Sequence, residues 1–175
     1  MLSSLEYKNK EMKKGYNLCM VNRKEKIMAD VKNFLIVVNS GVDHPYNHYA
    51  AYVVAFLGKK LGNIENVTIY YGPEGVAMTK KGELAKLAIQ DSVKELIAGQ
   101  IEGLNASDLP DNLEQLARFE KENLGINIVS CGTFHVIDGV GKDLDDLSNL
   151  EDFIVPVKLP QAAEALLGAD KIHYL

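Results

Sequence analysis

Five consecutive apolar residues, Phe34-Leu35-Ile36-Val37-Val38, stand between Asn33 and Asn39 with no polar residue among them. A strand with one wet face alternates apolar with polar side chains. An unbroken run this short marks a strand covered on both faces, as in parallel sheets. Parallel strands need crossover connections, usually helices, so the run predicts an α/β chain.

The segments that follow fit that prediction. Polar residues 39–44 lead to Pro45, which suits the first turn of a helix and disfavours helical geometry at His44. Tyr46, Tyr49, Ala50, Val53, Val54, Leu57 and Leu61 then fall at helical spacing, and Gly62 supplies a stop. Val67 to Tyr71 is β-branched and aromatic and runs into the turn Gly72-Pro73-Glu74-Gly75. A continuous helical stripe is expected from Leu84 to Ile97 and a connector over 99–110. A further helix is expected from Leu113 to Gly125, capped by Asp111 with Glu114. Strands are expected at 126–130, 153–157 and 171–175, with one or two short helices within 132–150 and another from Pro160 to Gly168. Strands alternating with helices predict an open sheet with right-handed crossovers, most simply five parallel strands in the flavodoxin-like order.

Charge divides the chain. Residues 1–27 carry seven basic and three acidic side chains, whereas the rest is acidic, and the whole has a net charge of −5. The balance argues against a phosphate backbone as partner, so nucleic-acid binding is not expected. Residues 1–27 lack the apolar core of a secretory signal and read as a polar, flexible arm preceding a single domain at 28–175. The longest uninterrupted apolar stretch, Tyr49 to Leu57, has nine residues; a membrane-spanning helix needs about 20. Cys19 and Cys131 form no C-x-x-C pattern, so neither a disulfide framework nor a zinc ribbon is indicated, and a reducing cytoplasm is the expected location.

In open parallel sheets, ligands and reactive groups gather at the carboxyl ends of strands, near the point where strand order reverses. Three segments qualify. Asn39, Ser40, Gly41, Asp43 and His44 follow the first strand; Gly72, Glu74 and Gly75 follow the second; Cys131, Gly132, Thr133 and His135 follow the third. Cys131 is expected where the backbone N–H groups of a following helical turn point outward, a position that favours thiolate. His135, four residues later, is expected within reach of the sulfur to stabilise it or move a proton. The plain alternative is an inert buried thiol and a solvent-facing histidine.

His44 and His48 also stand four apart and with Cys131 and His135 offer a metal set in principle, but no metal site is assigned. His48 lies off the helical stripe and is expected to be exposed; His44 is expected to be a cap or loop residue. Neither Gly139-Val140-Gly141 nor Gly72-Pro73-Glu74-Gly75 completes a nucleotide fingerprint. Asp143, Asp145 and Asp146 lack the glycine and distal Glu of a calcium loop and read as solvated surface or helix-start charge.

Taken together, three segments resemble the DsrE/DsrF-like family. They are Phe34-Leu35-Ile36-Val37-Val38 with its Asn-Ser-Gly-Val-Asp tail, Val67 to Val76, and Ile128-Val129-Ser130-Cys131-Gly132-Thr133. The resemblance covers roughly residues 33–175. It implies a three-layer α/β/α domain, assembly as homotrimers or homohexamers, no organic cofactor, and handling of sulfane sulfur in a sulfur relay. Its active members carry a cysteine where this chain has Cys131. The expected partners are sulfur donor and acceptor proteins or small sulfur compounds.

The chain departs from the family pattern at Phe134, where several members have a second cysteine, and at Asp138-Gly139, where they have Arg-Gly. Glu74 stands where an Asp is common. These changes remove a resolving thiol and a cation that would steady a thiolate. The alternatives are a metal-binding protein and a non-catalytic scaffold subunit.

Overall fold

The computed structural model describes residues 31–100 and 103–175. The expected arm at 1–27, with Cys19, lies outside the described residues. Five strands form one sheet: β1 (Asn33–Val38), β2 (Asn66–Tyr71), β3 (Asn127–Cys131), β4 (Val155–Val157) and β5 (Lys171–Tyr174). Every pairing is parallel. The helices are α1 (Pro45–Lys60), α2 (Asp91–Ala98), α3 (Leu113–Leu124), α4 (Gly132–Ile137) and α5 (Leu159–Leu167).

Alternation along the strands assigns the two faces. At Gly58, α1 comes so close to the sheet that a side chain there would press on Phe34 and touch Val67. Phe34 and Val67 are paired, so α1 covers the face that also carries Ile36, Ile69, Tyr71, Ile128 and Ser130. Glu164 and Ala165 of α5 share a cavity wall with Leu35 and Thr68, which point the other way. Helices therefore cover both faces, and the unbroken run of β1 is buried from Phe34 to Val38. This is the three-layer α/β/α class expected of the chain.

The strand order is β4-β3-β2-β1-β5, which differs from the flavodoxin-like order of 2-1-3-4-5. Each of the first three crossovers steps one place in the same direction. The last, through α5, returns to the free side of β1. The right-handed rule fixes the hand of a crossover and leaves open which neighbour it reaches. Short β4 forms one edge, and Pro156 sits there because it cannot donate a ladder hydrogen bond.

Two local expectations are also corrected. Residues 84–97 do not form one helix: a 3-10 turn at Leu84–Lys86 is followed by extended residues, and α2 starts only at Asp91. The backbone of 87–89 is used instead by residues 111–113, through Ile89 N to the Asp111 carbonyl at 2.8 Å and Leu113 N to the Leu87 carbonyl at 2.9 Å. Tyr49 adds its hydroxyl to the Ala88 carbonyl. The N-cap of α3 is Asn112, one residue after the expected Asp111; its side chain accepts from Gln115 N at 3.0 Å. The stop at Gly125 holds, with φ of 65° in the left-handed region where glycine costs least. Arg118 ties α3 to the approach to β4, pairing with Glu114, Glu151 and Asp152 and lying 4.5 Å from the centre of the Phe153 ring.

Candidate functional site

Cys131 is at once the last residue of β3 and the N-cap of α4. Its thiol is free and the residue is only 6% exposed. Strand alternation puts it on the α5 face of the sheet, the same face as Tyr70 on neighbouring β2. The Tyr70 hydroxyl lies beside the thiol. Burial first, and then this contact, push the Tyr70 phenol well above its ordinary range. The phenol therefore stays protonated at neutral pH and can donate to sulfur, including a thiolate. Sequence spacing gives no hint of Tyr70, because the contact runs across strands. Its signal is the parity of a β2 residue two positions before Gly72.

His135 does not take up the role expected from its spacing. Its Nε2 is 2.8 Å from the Ser130 hydroxyl, and the residue is 2% exposed. Ser130 pairs with Tyr71 and so lies on the α1 face, opposite to Cys131. One residue of strand separates the two side chains by the thickness of the sheet. Burial lowers the His135 pKa, which keeps the ring neutral.

The loops after β1 and β2 are brought together at the carboxyl edge. Gly72 N donates to the Val38 carbonyl at 2.9 Å. A Cβ at Gly72 would run into the Asn39 side chain, and one at Gly75 into the Val38 carbonyl, so close approach accounts for both glycines. Gly41 faces the Glu74 backbone. Ser40 accepts from the Asn47 side chain at 2.6 Å, while Asn39, Asp43, His44 and Glu74 are exposed. Gly72 follows Tyr71, the partner of Ser130, so this loop borders Cys131. The 39–44 loop lies one strand further away. Gly132 packs against the Val157 carbonyl and Leu144, and Thr133 is half-buried. The reversal of strand order falls between β1 and β5, two strands from Cys131.

His48 is a second correction. It is fully buried, with Nε2 3.0 Å from the Gly41 carbonyl and its ring stacked on Tyr71 at 6.1 Å between centroids. The 39–44 loop folds over the start of α1 and covers a residue that the helical stripe leaves out. His44 is the exposed N-cap position of α1. Among the described residues no three His, Cys, Asp or Glu side chains converge as metal ligands. The Asp143–Asp146 segment uses its carboxylates on backbone N–H groups of Lys142, Asp145 and Ser148. The bonds from Lys142, first, and from Ser148 hold Asp146 down at about 2.

Fold and site together define an open parallel α/β protein with one free cysteine at a strand end. The fold is similar to that of the YchN protein from E. coli, with 16% sequence identity and a TM-score of 0.50; the match covers 82% of this chain and 99% of that one. No family model matches the chain. No curated protein matches it either. No helix among the described residues is long and apolar enough to cross a membrane.

Proposed function

We propose that this chain is a sulfur-relay protein of DsrE/DsrF-like type, a sulfur carrier or sulfurtransferase that accepts and forwards sulfane sulfur as a persulfide on Cys131. What supports it above all is the position of Cys131, a free thiol at the carboxyl edge of β3 beside the Tyr70 hydroxyl. The family resemblance rests on the same strand ends. In the exchange, Cys131 thiolate attacks the outer sulfur of a donor persulfide; the new S–S bond forms as the donor S–S bond breaks, and the donor leaves as its thiolate. An acceptor thiolate then removes that outer sulfur in the same way and returns Cys131 to thiolate. No organic cofactor takes part.

Tyr70 donates to the thiolate before attack and again when it is regenerated. The 72–75 loop forms the near wall of the site, and Asn39, Ser40, Gly41, Asp43 and His44 form its outer rim. Cys131 is buried, so neighbouring groups must give way for a partner to reach the sulfur. A cytoplasmic homotrimer or homohexamer working with sulfur donor and acceptor proteins, or with small sulfur compounds, belongs to the same proposal.

The burial of Cys131 favours a second reading, a non-catalytic scaffold subunit with an inert thiol. Intact mass separates the two. In a Cys19→Ser background, incubation with polysulfide is expected to add sulfur mass that reductant removes and that Cys131→Ser lacks. Equal uptake by Cys131→Ser, or none by either, overturns the carrier.

A further inference from the structure

A cavity of about 350 Å3 lies between α1, α2 and α3, on the sheet face opposite to Cys131. Its size and make-up are those of small-molecule sites, which are apolar with few polar groups. Val53 and Phe56 of α1, Ile97 of α2, and Leu116 and Phe119 of α3 supply apolar wall. Glu120 lines the same cavity. It is fully buried, and neither carboxyl oxygen has a hydrogen-bond partner. A buried polar group without a partner is costly and calls for an explanation.

Ionised, Glu120 lacks a donor for either oxygen; protonated, its own O–H lacks an acceptor. An alcohol or an undissociated acid brings one O–H, whereas an ammonium group brings three N–H donors, enough for both oxygens. The other charged residue of the wall is Asp108, and the described lining has no Lys, Arg or His. The described lining therefore offers an anion no cation. We propose that this cavity binds a small amphipathic amine, with its alkyl or aryl body against the apolar wall and its ammonium group on Glu120.

Binding carries a proton signature. In the empty cavity, burial raises Glu120 to about 9, so it holds a proton at pH 7. Tyr52 from α1 and Tyr71 from β2 face it, both neutral because burial raises them too. Asp108 at the wall is the nearest charge of the lining. A cationic amine seated on Glu120 expels that proton to solvent, leaving an ammonium–carboxylate pair.

The test is titration calorimetry on the full chain at pH 7, in two buffers of different ionisation enthalpy. The probes are n-hexylamine, 2-phenylethylamine, 1-hexanol and hexanoate. Both amines are expected to bind with release of about one proton each, and hexanoate is expected not to bind. Glu120→Gln is expected to weaken amine binding at least about tenfold while leaving hexanol binding. Leu57→Trp, at a half-exposed position of the cavity wall, is expected to block the amines without touching Glu120. Absence of amine binding, hexanol binding as tight as hexylamine, unchanged affinity in Glu120→Gln, or unchanged affinity in folded Leu57→Trp each overturns the site.

Discussion

The hydroxyl groups of Tyr52 and Tyr71 meet at 2.9 Å between α1 and β2, with both side chains fully buried. Removing one of them strands the other in an apolar interior. Tyr71→Phe is expected to cost about 1–3 kcal/mol in urea unfolding, and the Tyr52→Phe, Tyr71→Phe double variant less than the sum of the singles. Additive losses would show that the two hydroxyls do not depend on each other.

Buried ionisable groups shape the pH dependence from two sides. Glu120 is raised to about 9, while an unfolded Glu titrates near about 4.3. Between those values the folded chain holds a proton that the unfolded chain has released. Stability therefore declines as pH rises through this window and levels off above it, with a slope of up to about 1.4 kcal/mol per unit. His48 and His135 are lowered by burial, so the unfolded chain takes up protons first, and stability is lost as pH falls below 6.5. Glu120→Gln is expected to gain more in urea midpoint over wild type at pH 8 than at pH 5. A difference that stays constant with pH would contradict a buried, protonated Glu120.

Tyr70 and His135 should separate in their effect on Cys131. Tyr70→Phe removes the hydroxyl beside the sulfur and is expected to slow alkylation of Cys131 at pH 7 by about three- to tenfold, in line with the loss of one ordinary hydrogen bond. His135→Ala is expected to cost about 1–3 kcal/mol of stability through the orphaned Ser130 hydroxyl and the lost ring packing, while persulfide loading survives. A folded His135→Ala that fails to load would restore the histidine to the sulfur chemistry.

The two loop glycines differ in what opposes a side chain. At Gly72 the obstacle is the end of the Asn39 side chain, which can be removed; at Gly75 it is the Val38 carbonyl, which cannot. Asn39→Ala is therefore expected to rescue much of the loss in Gly72→Ala, and none of that in Gly75→Ala. Equal rescue in thermal unfolding would contradict the close approach at Gly75.

Much of the fold is legible where local chemistry decides it. The apolar run of β1, the proline that starts α1 and the glycine that ends α3 each act within a few residues. The broken 84–97 stretch is illegible because its extended residues answer to residues 111–113, far along the chain. His48 reads as exposed from helical phase alone, since phase takes no account of the loop that folds over it. The place of Cys131 at a strand end follows from pattern, but its partner does not. Spacing puts His135 near the sulfur, whereas the register of β2 against β3 puts Tyr70 there and turns Ser130, with its histidine, to the other face.

The order of the strands has a consequence for how the chain is made. β1 is flanked by β2 and β5, and β5 begins 138 residues after β1 does, at Lys171. Asp170 caps the junction by accepting from Lys32 N and Asn33 N. During synthesis, one side of the most apolar strand stays open until β5 leaves the ribosome. In that interval β1 presents an unpaired ladder to any neighbouring nascent chain. Such long-range closure is also the slow kind. The last strand thus works as a seal, and its late arrival is the stage at which this fold depends most on protection by chaperones.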